Sequence, residues 1–206
     1  MRYFIIFLLF VFLVTGCKNK NSEANDSVEI SDMFTLLDST STGINFVNHI
    51  KESEQFNFLI YEYLHNGGGV AIGDINNDGL SDIYFSGNMV FNKLYLNLGD
   101  FKFKDITDSA GVNGGLGFKT GVTMADVNSD GFLDIYICKS ALADPVFRKN
   151  VVYINNGDLT FTDKSAEYGL DDPSYSSQAY FFDMDDDGDQ DMYLVNHPYN
   201  LRESNN

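Results

Sequence analysis

Three stretches of the chain set oxygen-bearing side chains at one fixed spacing: Asp74-Ile-Asn76-Asn-Asp78-Gly79-Leu80-Ser-Asp82, Asp126-Val-Asn128-Ser-Asp130-Gly131-Phe132-Leu-Asp134 and Asp183-Met-Asp185-Asp-Asp187-Gly188-Asp189-Gln-Asp191. Each reads D-x-[DN]-x-D-G-x-x-D. Carboxylate or amide oxygens at positions one, three, five and nine can surround one hard cation such as calcium, which takes roughly six to eight oxygen ligands. The glycine at position six falls where the backbone must turn sharply, and glycine takes positive φ there without steric cost. Asp, Asn and Gly also build ordinary solvated turns that hold no metal. Three copies that keep all four ligand positions and the glycine favour the metal reading over that one. In the third loop the added carboxylates of Asp186 and Asp189 remain open between ligand, water holder and surface charge.

The spacing differs from that of an EF-hand, which needs a bidentate Glu at position twelve and helices on either side. Position twelve here is Phe85, Ile137 or Leu194, so the aspartate at nine must close the loop. The residues after each loop are β-branched and aromatic: Ile83-Tyr-Phe85, Ile135-Tyr-Ile137 and Met192-Tyr-Leu-Val195. Such runs predict short strands. An apolar strand also precedes each loop, at Val70-Ala-Ile72, Val122-Thr-Met124 and Tyr180-Phe-Phe182. The first two units add a hairpin: Lys93-Leu-Tyr95-Leu96 turns at Leu98-Gly99-Asp100 into 101–105, and Val151-Val-Tyr153-Ile154 turns at Asn156-Gly157-Asp158 into 159–163. Asn156-Gly157 is a two-residue hairpin signal. Four short strands in a repeat of about fifty residues predict an all-β fold of propeller blades.

In these loops and strands the sequence resembles the FG-GAP or VCBS repeats, which fold as integrin-α-like β-propellers with calcium in the loop joining two blade strands. The run Gly67-Gly-Gly-Val-Ala-Ile-Gly-Asp-Ile-Asn-Asn-Asp-Gly-Leu-Ser-Asp-Ile-Tyr84 is similar to the first repeat of bacterial proteins related to cartilage acidic protein, which often carry an ASPIC/UnbV domain, and Thr42-Gly-Ile-Asn-Phe46 resembles the lead-in to that propeller. The resemblance implies about three calcium sites, on Asp74, Asn76, Asp78 and Asp82, on Asp126, Asn128, Asp130 and Asp134, and on Asp183, Asp185, Asp187 and Asp191. It also implies that the main-chain carbonyls of Leu80, Phe132 and Asp189 complete each shell. Blades are expected at about 67–118 and 119–175, with part of a third at 176–206. Propellers close with more blades than these, and no ASPIC/UnbV-like segment is present, so the chain reads as the N-terminal part of a longer protein.

Residues 1–16 read as a signal peptide: Met1-Arg2-Tyr3 carries positive charge, Phe4 to Val14 is apolar without interruption, and small residues come next. The apolar run is shorter than the roughly 20 residues of a membrane helix. Val14-Thr15-Gly16-Cys17 resembles a bacterial lipobox, which implies a lipid on Cys17 and display on an outer membrane or cell surface; an ordinary secretory signal or an uncleaved anchor are the alternatives. Lys18 to about Asp32 is polar enough to serve as a flexible tether behind the lipidated cysteine, over residues 17–33. Residues 34–66 are expected to supply lead-in strands, chiefly at Phe56-Asn-Phe58-Leu-Ile60-Tyr61-Glu-Tyr63. With Cys17 lipidated, Cys138 is left without a partner, and its apolar neighbours mark it as a small buried hydrophobe.

A formal charge of −17, one unit more negative once Arg2 leaves with the leader, disfavours nucleic acid, whose phosphates require clusters of Lys and Arg. Bound divalent cations would relieve the self-repulsion. Enzyme chemistry finds no nucleophile motif, phosphate loop, dinucleotide fingerprint or zinc spacing. His65, beside Asn66-Gly67, and His197, before Pro198, read as turn residues. Tyr84, Tyr95, Tyr136, Tyr153 and Tyr193 recur at equivalent strand positions and suit packing between blades. The functional expectation is therefore a non-catalytic, calcium-binding, lipid-anchored propeller segment outside the cytoplasm that binds an unidentified protein or carbohydrate. The alternatives are a scaffold within a longer secreted enzyme and a structural lipoprotein of outer-membrane assembly.

Overall fold

Each apolar run of the repeat becomes a strand because its residues alternate between two packed faces. In the computed structural model, which describes residues 34–198, β1 (Val70–Gly73), β2 (Asp82–Phe85), β3 (Lys93–Asn97) and β4 (Phe103–Asp105) form one antiparallel sheet in that order. A connection carrying the short helix α2 (Thr107–Ala110) leads to a second such sheet, β5 (Phe118–Ala125), β6 (Asp134–Ser140), β7 (Val151–Asn155) and β8 (Phe161–Asp163). A third unit comes next, β9 (Ser176–Phe182) paired with β10 (Asp191–Asn196). The helix α1 (Ser39–Thr42) precedes them all. The described residues from Leu37 onward make one compact unit. The fold is all-β and propeller-like, with a first, second and third unit that repeat the same strand–loop–strand frame.

The core lies between successive sheets. Ala71, Tyr84 and Leu94 of the first sheet pack on Val122, Ile135 and Ile137 of the second. From the same strand β6, Tyr136 and Cys138 face the other way and meet Ala179, Phe181 and Met192 of the third pair. β6 is buried along its whole length, which is why its middle, Ile135 to Cys138, shows no polar alternation. Cys138 is fully buried there, and burial, with Asp172 adding to it, pushes its thiol up to about 12. Close approach of the innermost strands β1, β5 and β9 needs missing side chains: a Cβ on Gly69 would lie 2.7 Å from the Val122 nitrogen, and one on Gly121 would lie 1.9 Å from Gln178 Oε1.

Within the sheets a polar relay repeats. Tyr84 donates its hydroxyl to the Val112 carbonyl (2.6 Å) and accepts from Asn92 Nδ2 (2.9 Å), while Tyr136 donates to the Leu170 carbonyl (3.2 Å) and accepts from Asn150 Nδ2 (3.0 Å). Tyr95 and Tyr153 are buried as well, but Tyr193 is 63% exposed. Tyr84, Tyr136 and Tyr153 thus pack between units, whereas Tyr95 lies on the other face of the first sheet, against Phe85 and bonded to Asn45 of the lead-in, and Tyr193 of the third pair faces outward.

Two expectations need correction. Residues 34–66 hold no strand among the described residues. Phe56 to Tyr63 instead forms successive turns, since Asn57 bonds locally: its Nδ2 donates to the Ser53 carbonyl and its Oδ1 accepts from the Leu59 N–H, both at 3.0 Å. Its aromatic content is used at turn spacing, with Tyr61 and Leu64 buried against Phe118 and Ala141. The hairpins also have longer loops than the two residues Asn156-Gly157 signal. Asn156 N donates to the Thr160 carbonyl (3.0 Å) and Leu98 N to that of Lys102 (2.8 Å), with Phe101 and Leu159 at positive φ (56° and 66°) inside the loops. Asn97 and Asn155 set this turn by accepting the N–H of Gly99 and Gly157, each at 2.9 Å. The leader, Cys17 and the tether lie outside the described residues.

Lys119 and Lys139 are cross-strand partners, both buried, and neither has a carboxylate in ion-pairing distance among the described residues. Their ammonium groups meet the carbonyls of Gly115 (3.3 Å) and Leu116 (2.9 Å). Burial, and next the charge of Lys139, push Lys119 down to about 8. An unfolded lysine titrates near 10.4, so between about 8 and 10.4 the unfolded chain binds more protons at this side chain, and its own contribution to stability rises with pH. The buried Cys138 thiol and Tyr136 hydroxyl, both raised by burial, act in the opposite direction over the same range. Denaturant unfolding across that range should show Lys119→Met losing stability with pH more steeply than the wild type; parallel curves would contradict the burial of this amine.

Candidate metal loops

Each acidic loop is wound by its own side chains. Asp74 accepts the N–H of Asp78 (3.1 Å) on one oxygen and that of Gly79 (2.7 Å) on the other; Asp126 does the same with Asp130 (3.0 Å) and Gly131 (2.9 Å), and Asp183 with Asp187 (3.2 Å) and Gly188 (3.0 Å). The position-five carboxylate bonds the position-seven N–H in turn, Asp78 to Leu80 (2.8 Å), Asp130 to Phe132 (2.9 Å) and Asp187 to Asp189 (3.0 Å). The expected glycines take the left-handed conformation, at φ of 85°, 89° and 93° for Gly79, Gly131 and Gly188. Position four does so too, at Asn77, Ser129 and Asp186 (58°, 60° and 62°). Asn and Asp tolerate that region better than other side chains, and this was the signal available in two of the three loops.

Position nine does different work. Asp82 is buried and accepts two backbone N–H groups from separate segments, Ile75 (3.0 Å) at the start of its loop and Asn97 (2.7 Å) at the end of β3. Asp134 repeats this with Val127 (2.9 Å) and Asn155 (2.8 Å). Burial raises both carboxyls above the usual range, against the pull of those N–H groups, and the neighbouring loop aspartates add to the rise. In the third unit Asp191 accepts, among the described residues, from Met184 alone (2.8 Å). Asn155 links the first two loops directly, its Nδ2 donating to the carbonyls of Ile75 (2.8 Å) and Leu133 (3.1 Å).

Oxygens suited to a hard cation are gathered by this winding. In the third loop Asp183, Asp185 and Asp187 each offer one carboxylate oxygen, all within 4.8 Å of one another. The first two loops substitute an amide at position three, and Asn76 and Asn128 contact Asp78 and Asp130 (3.0 and 2.8 Å). A carboxylate offers about four lone-pair sites, so the N–H bonds above leave acceptor capacity on every one of these side chains. The carbonyls of Leu80, Phe132 and Asp189 accept no hydrogen bond among the described residues. Asp189 has its carboxyl raised by its hydrogen bond with Asp187 and then by that group's charge. The donor set is all oxygen, which suits calcium over soft transition metals.

Residues 74–137 match the family model of FG-GAP-like repeats. That span begins at the first ligand position of the first loop and runs through the whole second loop. A 69-residue stretch is 42% identical to cartilage acidic protein 1 of Xenopus tropicalis, covering 34% of this chain and 11% of that protein. The third acidic loop lies outside the residues matched to the FG-GAP-like repeat.

One cluster escaped sequence reasoning. His197 is not a simple turn residue: its Nε2 meets Ser140 Oγ (2.8 Å) and the Tyr61 hydroxyl (3.2 Å), its Nδ1 meets the Pro198 carbonyl (3.1 Å), and its ring lies 4.4 Å from that of Tyr63. Ser140 is fully buried, which denies it to a substrate and makes the contact one of packing. The partners are 57 and 136 residues from His197 in sequence, beyond any local signal. His65 does sit in an exposed turn, beside Glu52 (2.8 Å).

Asp134→Ala should destabilise the chain by about 2–5 kcal/mol even in chelator, because two buried N–H groups lose their acceptor. Urea unfolding in EDTA checks this, and a loss below about 1 kcal/mol would show that the aspartate matters only through metal.

Proposed function

We propose that this chain is part of a calcium-stabilised propeller outside the cytoplasm, held to a membrane by a lipid on Cys17, that binds a protein or carbohydrate partner and performs no chemistry itself. The observation that carries the reading is the common hydrogen-bond frame of the three loops, which in the third brings carboxylate oxygens of positions one, three and five within 4.8 Å of one another. Calcium would be held by Asp74, Asn76, Asp78 and Asp82, by Asp126, Asn128, Asp130 and Asp134, and by Asp183, Asp185, Asp187 and Asp191, with the carbonyls of Leu80, Phe132 and Asp189.

The metal's contribution in this reading is stability. A site with a dissociation constant of about 10⁻⁴ M in millimolar calcium adds on the order of 1.4 kcal/mol. Three such sites also offset part of the −17 charge. The match to FG-GAP-like repeats supports an extracellular or surface setting for the chain. No helix among the described residues is long and apolar enough to cross a membrane, and attachment is assigned to Cys17.

Calorimetric titration of the full chain should count about three calcium ions, with one fewer in Asp78→Ala and one fewer in Asp187→Ala. Unchanged stoichiometry in either variant would sink the assignment of that loop. Cys17→Ala should leave an unprocessed precursor, seen as a larger species on a gel and the loss of radiolabelled fatty acid; normal maturation of that variant would remove the lipid from the account.

A further inference from the structure

At the far ends of the innermost strands from the acidic loops, a cavity of about 240 Å³ opens between the starts of β1, β5 and β9. Four segments distant in sequence enclose it: Tyr61 and Tyr63 ahead of the first unit, Gly121 on β5, Ser177 and Gln178 on β9, and His197 after β10. Its aromatic side is held in place, since His197 is fixed by Ser140 and Tyr61 and lies against Tyr63. Its floor is formed where position 121 has no side chain, which lets the Gln178 amide and the Ser177 carbonyl lie directly against the β5 backbone.

Some of the polar groups lining this space keep hydrogen-bonding capacity to spare. Gln178 spends its Nε2 on Thr123 Oγ1 (2.8 Å) and the carbonyls of Ala179 (3.1 Å) and Val122 (3.4 Å), which fixes the amide and leaves Oε1 as an acceptor. Among the described residues neither the Tyr63 hydroxyl nor Ser177 Oγ makes a hydrogen bond. Polar groups that are partly withdrawn from water and unpaired favour a ligand that restores their bonds. Among the described residues no Asp, Glu, Lys or Arg lines the cavity, and His197 is its one ionisable side chain besides the tyrosines, so the lining favours a neutral ligand. The volume lies below the roughly 300–1,000 Å³ of pockets for drug-sized molecules, which limits the occupant to about one ring.

We propose that this cavity binds a single neutral polyhydroxylated ring, a pyranose unit of a glycan, whose C–H face packs on the Tyr63 and His197 rings while its hydroxyls meet Tyr63, Ser177 and Gln178. Hydroxyls donate and accept together, which suits a lining of two hydroxyls and a carbonyl oxygen. A purely aromatic ligand would strand those three groups, and a cation would find no counter-charge. The proposal deepens the partner-binding reading above by naming the carbohydrate alternative and its site.

The test is titration of the full chain, detergent-solubilised and loaded with calcium, with the methyl glycosides of glucose, galactose, mannose and N-acetylglucosamine, monitored by saturation-transfer NMR, and calcium stoichiometry is measured on the same sample. At least one glycoside should bind with millimolar affinity and be weakened roughly tenfold by Tyr63→Ala and by Ser177→Val, with calcium binding and melting temperature unchanged in Ser177→Val. Failure of all four glycosides to bind a folded chain, binding that both variants retain, or displacement of the glycoside by arginine methyl ester would overturn it. Glycoside binding in a chain that takes up no calcium would uphold the cavity and remove the metal reading instead.

Discussion

Asp82 and Asp134 each hold two backbone N–H groups from separate segments, a junction that the Asn97 and Asn155 side chains reinforce by donating to the Ser81 and Leu133 carbonyls. One oxygen fixes the start of the acidic loop and the other fixes the end of the third strand. The loop, the inner strand and the hairpin are thereby set in one register. Because both carboxylates are buried, losing the acceptor would leave amides without water or protein to bond. In the proposed metal shell the same side chain would also be a ligand, so strand register and metal would be two uses of one residue.

In the third unit the described residues give Asp191 one backbone partner, the Met184 N–H, and pair β10 with β9. Met184 is exposed where Ile75 is buried at the same position, and Tyr180, Phe182 and Tyr193 turn apolar surface outward. Yet the carboxylates of this loop converge most closely, with three within 4.8 Å. Gathering three like charges costs energy that a divalent cation would offset, and this is the loop whose geometry depends most on its acid being neutralised.

The features legible in the sequence were those that are local and repeated. The D-x-[DN]-x-D-G-x-x-D spacing placed the positive-φ glycines, and alternation of apolar residues placed ten strands to within a few residues. The hidden parts depend on contacts far apart in the chain or on a side chain that competes with its own backbone. Asn57 turned an apolar, aromatic run away from strand, and Asn97 and Asn155 lengthened the hairpin loops by bonding the glycine two residues on. The Tyr84–Asn92 and Tyr136–Asn150 relays repeat, but the asparagines stand eight and fourteen residues after their tyrosines, so the repeat does not align them. His197 owes its place to Tyr61 and Ser140, and its neighbours in sequence hold no trace of either.

The central claim, that the position-nine carboxylates lock the units, is tested most directly by native-state amide hydrogen exchange with calcium chelated. The N–H groups of Ile75, Asn97, Val127 and Asn155 should be among the slowest in the chain, opening only with global unfolding. Exchange of these four as fast as that of the exposed loop amides Leu80 and Phe132 would contradict the account and leave the register to strand pairing alone.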